Sequence, residues 1–209
     1  MHWTKEAIKA LDFKFRLNLI NSITGIKPAN LIGTISESGT TNLAIFSSVV
    51  HLGSDPALIG FIVRPTGEIP RHTYQNIIAN GLYTINHIHE SFIERAHYTS
   101  AKFASEESEF DMCKLTEEYL AGWKAPFVKE SKLKIAMEFM ESIPLKRNNT
   151  IMIIGQVAHI FIDDIAVNDK GRIDLAALND VGLSGLNRYY RLEEIAEHPY
   201  ARVNELPDF

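Results

Sequence analysis

Cysteine is nearly absent from this sequence, with one residue, Cys113, among 209. A disulfide within the chain requires two cysteines and a cysteine-rich zinc site requires several, so the sequence excludes both. The neighbours Glu109 and Asp111 supply no positive charge that would favour a thiolate, which makes Cys113 a poor candidate for a nucleophile. A single unpaired cysteine fits a reducing compartment, and we expect a cytoplasmic protein.

Long apolar runs are also missing. The first 20 residues alternate charged and apolar side chains. They therefore lack both the apolar core of a signal peptide and the roughly 20 apolar residues of a membrane span. The sequence predicts an unprocessed protein with no membrane partner. Its 21 basic and 26 acidic residues give a net charge of −5, which offers no general attraction to nucleic acid.

The common nucleotide-binding motifs are absent too. The sequence contains neither G-x-G-x-x-G nor G-x-x-x-x-G-K-[ST], and the segment GLSGL at 182–186 lacks the spacing of a G-x-S-x-G nucleophile elbow. Any nucleotide-like ligand must then be bound without a Rossmann or P-loop fold. His87 and His89 form a close pair, but no third ligand stands at a suitable spacing, so we predict no metal site.

The sequence does contain a series of short β-strands in antiparallel order. Alternating or continuous apolar residues predict about six strands, at 29–36, 41–52, 58–65, 82–88, 132–140 and 150–163. The first two connections, ESGT and GSDP, are short and rich in turn residues. Length and 45% hydrophobic content fit one domain, 1–209, of mainly β class with inserted helices, arranged as a closed or split β-barrel.

Helices are predicted before and between the strands. Residues 5–22 repeat apolar side chains at the helical period, so an amphipathic helix should lie on the body of the domain within an entry segment, 1–28. Another helix is expected to start with Thr73 as its N-cap and to end before Gly81. Shorter helical segments are predicted at 92–102, 115–120 and 175–178, the last of them within a C-terminal extension at 164–209.

A candidate anion site lies where one strand ends and a helix begins. Arg64 ends the strand, and Arg71, His72 and Thr73 open the helix. A helix N-terminus offers unpaired backbone N–H groups, and arginine adds forked donors that match phosphate oxygens, so these residues can form a phosphate pocket. The alternative is that the arginines pair with surface acids and the threonine only caps the helix.

Polar side chains in one buried strand form the second candidate feature. Asn42, Ser47 and Ser48 stand where aliphatic side chains would pack better. At a strand end or bulge, such groups and the freed backbone N–H groups can bond to a planar heteroaromatic ligand. Ser47 and Ser48 point to opposite faces of a straight strand, so a ring site requires a bend. The alternative is that the serines bond to neighbouring backbone.

Four segments in order resemble a known family. They are Asn42-x-Ala44-x-Phe46-Ser47 in a strand, Asp55-Pro56 in a turn, Thr73-x-x-Asn76 in a helix and Ile85-Asn86 in the next strand. This pattern resembles the flavin reductase-like proteins with the FMN-binding split barrel, especially the flavoredoxin-like branch. The likeness extends over residues 16–89, and the resemblance implies a split β-barrel of about six antiparallel strands.

The resemblance also implies a function. It implies an FMN-binding oxidoreductase, either an NAD(P)H-dependent flavin reductase or a flavoredoxin-type electron carrier, with NADH or NADPH as donor and FMN near a homodimer interface. The implied cofactor-binding residues are Asn42, Ala44, Phe46, Ser47, Ser48 and Val49 at the ring and Arg64, Arg71, His72 and Thr73 at the phosphate. Because flavin supplies the hydride chemistry, few catalytic side chains are expected. The alternative is a non-catalytic FMN- or tetrapyrrole-binding split-barrel protein.

Overall fold

The computed structural model describes residues 1–67 and 71–208. Its α-helices are α1 Lys5–Ala10, α2 Phe13–Ser22, α3 His72–Asn80, α4 Ile93–Tyr98 and α5 Glu109–Met112. Three short 3-10 helices occupy Glu90–Phe92, Asp164–Ala166 and Val203–Glu205. None of the helices in this described part of the chain is long and apolar enough to cross a bilayer.

Seven strands form the main sheet, which is antiparallel throughout. They are β2 Asn30–Ile35, β3 Thr41–Phe46, β4 Val50–Ser54, β5 Ala57–Val63, β6 Leu82–His87, β9 Lys134–Leu145 and β10 Thr150–Phe161, paired in the order β3-β2-β6-β9-β10-β5-β4. A second sheet joins β1 Lys27–Pro28, β11 Val181–Ser184 and β12 Arg188–Arg191 in the order β1-β11-β12. A two-stranded pair joins β7 Glu117–Glu118 to β8 Phe127–Val128. The predicted mainly β class is confirmed.

The strand predictions differ from the structure chiefly at one place. The predicted strand 41–52 is two strands, β3 and β4, because residues 47–49 leave the ladder between them. The main sheet therefore has seven strands instead of about six. The C-terminal extension, in which no long strand was expected, contributes the two four-residue strands that pair with β1.

Each face of the main sheet covers its own apolar core, because side chains alternate between faces along a strand. One core is built by Ile32, Phe61, Val63, Ile77, Tyr83, Ile85, Met137 and Ile153, and Ile77 brings helix α3 onto it. The opposite core joins Leu31 and Leu43 to side chains of α4, α5 and β11, among them Ala96, Phe110 and Val181. Strands β2 and β3 are therefore covered on both faces.

Several predicted helices are wrong in position or extent. The segment 5–22 forms two helices, because Asp12 accepts hydrogen bonds from the N–H groups of Lys14 and Phe15 and so starts a new helix. Neither helix buries a residue, so the expected packing on the body is also wrong. The segment 175–178 is a hydrogen-bonded turn, and 92–102 is helical only over Ile93–Tyr98 after a short 3-10 turn.

The helix predicted at 115–120 is also wrong. The nearby helix is α5, which begins at Glu109. Ser108 is its N-cap, and the Ser108 hydroxyl accepts a hydrogen bond from the N–H of Phe110. Leu115 lies in the core beyond that helix, and Glu117 belongs to strand β7. The helix therefore precedes the predicted segment, and part of that segment is a strand.

Edge strand β3 is protected from one side by a buried carboxylate. Its outward N–H at Leu43 donates to Oε2 of Glu109 at 2.8 Å. Glu109 is 6% exposed. Burial raises the pKa of the Glu109 carboxyl, and the bond from Leu43 opposes that change only in part. This bond satisfies a strand edge that would otherwise be free to pair with another chain.

We expect Glu109→Gln to stabilise the protein at neutral pH and to reduce its pH dependence. A carboxyl whose pKa is raised on folding gives its full contribution to stability below its unfolded pKa and loses it as the pH rises through the folded pKa. The side-chain oxygen of glutamine still accepts a hydrogen bond from the N–H of Leu43, but the glutamine side chain does not ionise. Urea denaturation of both proteins from acid to neutral pH measures the effect. Glu109→Leu is the control, because it leaves the Leu43 N–H unpaired and should cost about 1–3 kcal/mol at every pH. Equal pH dependence in wild type and Glu109→Gln would contradict the assignment.

Candidate functional site

The chain bends where β3 ends, as a ring site at Ser47 and Ser48 requires. Residues 47–49 lie outside both neighbouring strands, and β4 begins at Val50. The hydroxyl of Ser48 accepts from the N–H of Ile62 at 3.0 Å and donates to its carbonyl at 3.3 Å. Ser48 therefore bonds to neighbouring backbone, and this bond replaces the ladder and holds the bend against β5.

The side chains around the bend point into the core. Phe46 meets Phe61 edge to face, with ring centroids 5.0 Å apart, and Val49 packs on the same core. Ala44 shares the face of Phe46 by alternation along the strand. These three side chains fix the position of the bend, so the segment presents its backbone to the outside.

That backbone is unpaired. No N–H or carbonyl of Ser47, Ser48 or Val49 makes a hydrogen bond to another described residue, although all three residues are half-buried. The Ser47 hydroxyl likewise has no partner among residues 1–67 and 71–208. Buried or half-buried backbone groups are nearly always paired with protein, water or ligand. Three adjacent donors and acceptors are therefore available to a ligand at this bend.

The two arginines of the candidate anion site are linked through the backbone next to Arg64. Arg71 donates from Nε to the carbonyl of Pro65 at 3.3 Å, which brings its guanidinium beside the residue that follows Arg64. Arg64 is exposed and Arg71 is half-buried. Within the described residues neither arginine forms an ion pair with a carboxylate. Residues 68–70, which join the two, lie outside the described residues.

Thr73 is not the N-cap of its helix. Helix α3 begins at His72, with Arg71 at the capping position and no side-chain cap bond. Thr73 is buried in the first turn, and its hydroxyl accepts from Nδ2 of Asn42 at 3.0 Å. A tertiary bond to β3 therefore competes for the hydroxyl that capping would use.

Asn42 and Thr73 belong to a buried polar cluster that fixes α3 to the sheet. Nδ2 of Asn42 also reaches the hydroxyl of Thr34 at 3.3 Å, and Nδ2 of Asn76 donates to the same hydroxyl at 3.0 Å. The amide of Asn42 is thus directed at this cluster and away from the bend. Two members of the cluster, Asn42 and Asn76, line a cleft of about 250 Å³ together with Ser36, Ser38, Thr40, Thr41, His72, Gln75, Ser105, Glu106 and Glu107.

The structure therefore separates the predicted site into three groups. Phe46, Ser47, Ser48 and Val49 form the bend. Arg64 follows the end of β5, and Arg71 bonds to the backbone beside it. Asn42, His72 and Thr73 lie together at the start of α3.

Sequence reasoning missed a polar group at the same end of the sheet. Nδ1 of His87 donates to Oδ2 of Asp180 at 2.8 Å, and the second carboxylate oxygen is buried without a described partner. Asn30 pairs in register with both Phe46 and His87, is fully buried and has no partner for either amide atom among the described residues. His89 bonds instead to Ser91, so His87 and His89 do not converge. No signal in the sequence connects positions 87 and 180.

The raised pKa values of Cys113 and Tyr189 argue against either side chain as a nucleophile. Burial raises the pKa of the Cys113 thiol, and Glu109 adds to the effect. Burial raises the pKa of Tyr189 to about 12, and its hydroxyl lies 3.0 Å from Nδ1 of His97. Trp123 donates from its indole N–H to the carbonyl of Tyr83. These groups are packed or bonded within the protein.

Comparison with known proteins identifies the family of this chain. Residues 26–174 match the family model of the flavin reductase like domain. A protein of Shewanella frigidimarina, described as a flavin reductase with a split barrel domain, is 49% identical, with a TM-score of 0.92 over 96% of this chain and 100% of that one.

Two more distant structures share the fold. Nitrilotriacetate monooxygenase component B from Bacillus cereus has a TM-score of 0.82 at 22% identity, over 95% of this chain and 98% of that one. Flavoredoxin of Desulfovibrio vulgaris has a TM-score of 0.74 at 20% identity, over 96% and 98%. The predicted split barrel is thus confirmed. Because the family model spans most of the sequence, the chain belongs to the flavin reductase like domain family.

Proposed function

We propose that this protein is an FMN-binding oxidoreductase that accepts electrons from NADH or NADPH, acting as a flavin reductase or as a flavoredoxin-type carrier in the cytoplasm. The observation that carries the proposal is the unpaired backbone of Ser47, Ser48 and Val49 at the bend after β3. The family supports a flavin as the ligand. The description of the family as reductase-like supports a hydride donor, and NADH and NADPH are donors of that kind.

The bend suits the edge of a flavin ring. An isoalloxazine has broad apolar faces and a polar edge of carbonyl and ring nitrogen atoms, so it needs backbone donors and acceptors held at a fixed place. Phe46 and Val49 anchor the bend in the core, and Ser48 ties it to Ile62. The donors are thereby held in position before the ligand arrives, which reduces the entropy lost on binding.

The arginine pair suits the phosphate. Arg64 and Arg71 would hold it through charge-assisted hydrogen bonds beside the first turn of α3. Thr73 and Asn42 would act indirectly, since their mutual bond holds the start of α3 against β3. His72, at the mouth of the adjoining cleft, would contact the phosphate or the ribityl chain.

The protein's part in the reaction is then binding and orientation. FMN, when bound, would supply the hydride and electron chemistry. The chain would fix the ring edge through residues 47–49 and exclude water from its inner side with the apolar core under the bend. A homodimer with the flavin near the interface would cover the open side of this site.

Titration of the flavin-free protein with FMN tests the proposal. We expect a red shift and fine structure in the flavin absorbance, quenched flavin fluorescence and saturation at one FMN per chain. Addition of NADH or NADPH without oxygen should then bleach the bound flavin. A protein that binds no flavin would refute the whole proposal. Bound flavin that neither nicotinamide bleaches would refute the reductase assignment and leave a flavin-binding module.

A further inference from the structure

The N-terminal arm, residues 1–26, meets the described body of the domain at its end, where Ile26 lies against Gly182 and Ser22 against Gly185. Its two helices bury no residue. Besides Met1, the arm exposes six large apolar side chains: Phe13 66%, Phe15 51%, Leu17 38%, Ile20 43%, Ile23 67% and Ile26 53%. Hydrogen bonds donated by its side chains to described residues all end within the arm, as from Arg16 to the carbonyls of Lys9 and Leu11. Its helices have 6 and 10 residues. Isolated helices of this length are marginal in water, so these need a surface to pack on.

The C-terminal tail, residues 192–208, also exposes large apolar side chains. It exposes Ile195 93%, Tyr200 86%, Val203 89% and Leu206 64%. Its regular structure is one short 3-10 turn at Val203–Glu205, and an ion pair from Glu197 to Arg172 connects it to the body. Apolar side chains exposed in such numbers mark a contact surface.

Charge makes the arm and the tail complementary. The arm carries four basic and two acidic residues, a net charge of +2. The tail carries five acidic residues and one basic residue, a net charge of −4. Complementary potentials of this kind favour association and fix its orientation. The counterpart that fits the arm is therefore present in the same chain.

The two segments leave the body side by side without meeting. The arm ends at β1 and the tail begins after β12, on the two edges of the three-stranded sheet, with β11 between them. Strand spacing separates those edges by roughly 10 Å. Ile26 and Leu192 both lie against Gly182 of β11, but no hydrogen bond or ion pair joins arm to tail among the described residues.

We propose that the arm of one copy packs on the tail of a second copy, in a two-fold exchange that forms two identical contacts. A two-fold axis pairs each arm with the partner's tail and satisfies both segments at once. The occupant of the arm's apolar face is thus a second copy of this chain. The inference deepens the homodimer of the proposed function, and it is independent of flavin because it concerns residues outside the flavin site.

Sedimentation equilibrium of the full-length protein without flavin tests the exchange. Wild type should be a dimer, and Phe13→Ser/Ile20→Ser should raise the dimer dissociation constant at least about 100-fold, because each substitution removes apolar contact from both halves of the interface. The matched control, Met112→Ser/Ile165→Ser, replaces two exposed apolar residues elsewhere and should leave the constant unchanged. A monomeric wild type, or an arm variant that dimerises as wild type does, would overturn the proposal.

Thiol crosslinking identifies the contact, because the natural Cys113 is buried. Ile20→Cys and Ile195→Cys place one accessible thiol in the arm or in the tail. With a short bismaleimide, we expect covalent dimers when the two variants are mixed and none from either alone. In the doubly substituted chain, a crosslink within a monomer would show that the arm folds on its own tail and would refute the exchange. Failure of FMN to bind, by contrast, would leave these results unaffected.

Discussion

Replacing Arg64 and Arg71 together by alanine will weaken FMN binding about 100-fold and leave riboflavin binding nearly unchanged. A hydrogen bond to a charged group contributes about 1.5–3 kcal/mol, and we take the lower value for each arginine because Arg64 is exposed. Two such bonds correspond to about 100-fold in the dissociation constant. Riboflavin lacks the phosphate, so it retains the ring contacts at residues 47–49 and loses nothing at the arginines.

Flavin fluorescence quenching with both ligands measures this difference. Arg147→Ala/Arg188→Ala is the matched control, because it removes the same two charges from exposed positions distant in sequence from the site. The control separates a local phosphate contact from a change in the overall field. Equal losses for FMN and riboflavin would show that the arginines support the fold or the ring and would remove their phosphate role. Increasing salt should narrow the gap between the two ligands, since exposed charges are screened.

Gly33→Ala will destabilise the protein by at least about 3 kcal/mol, at the upper end of the cost of inserting a methyl group into a packed interior. A Cβ at this position would stand 2.6 Å from the hydroxyl of Thr84 and closer still to the carbonyl of Pro126. Neither neighbour can withdraw easily. The Thr84 hydroxyl donates to that same carbonyl at 2.7 Å and accepts from Nδ2 of Asn86 at 2.9 Å.

Urea denaturation of the variant and the wild type measures the loss. Gly67→Ala is the control, because a Cβ there meets nothing within 4 Å, and its free energy of unfolding should match wild type. A loss below about 1 kcal/mol for Gly33→Ala would mean that β2 shifts away from Pro126 at little cost, which close packing of the interior argues against. The unfolding m-value should not change, since the substitution alters the native packing and leaves the exposed surface the same.

Local patterns carried the prediction of the strands. Apolar runs bounded by turn residues placed β2, β5, β6 and β10 within a few residues of their observed bounds, because such runs are a property of each strand alone. The helix predicted at 115–120 is wrong. Part of that segment is held extended by the pairing of β7 with β8, which the sequence does not encode locally.

The sequence predicted the candidate site only in outline. The unusual hydroxyls at Ser47 and Ser48 pointed to a bend, and a bend is present. Which atoms remain free to bind a ligand depends on the tertiary hydrogen bonds. Ser48 uses its hydroxyl on Ile62, and Asn42 uses its amide on Thr73, so the free groups at the bend are backbone atoms.

The sequence by itself determined the mainly β class, the positions of most strands along the chain and the family resemblance, since each rests on local periodicity or on short motifs. Only the tertiary structure decided what those residues contact. The bonds that join Asn42 to Thr73 and His87 to Asp180 span 31 and 93 positions. Pairing over such distances depends on how the sheet closes around its cores, and that is set by the sum of many weak contacts spread through the chain.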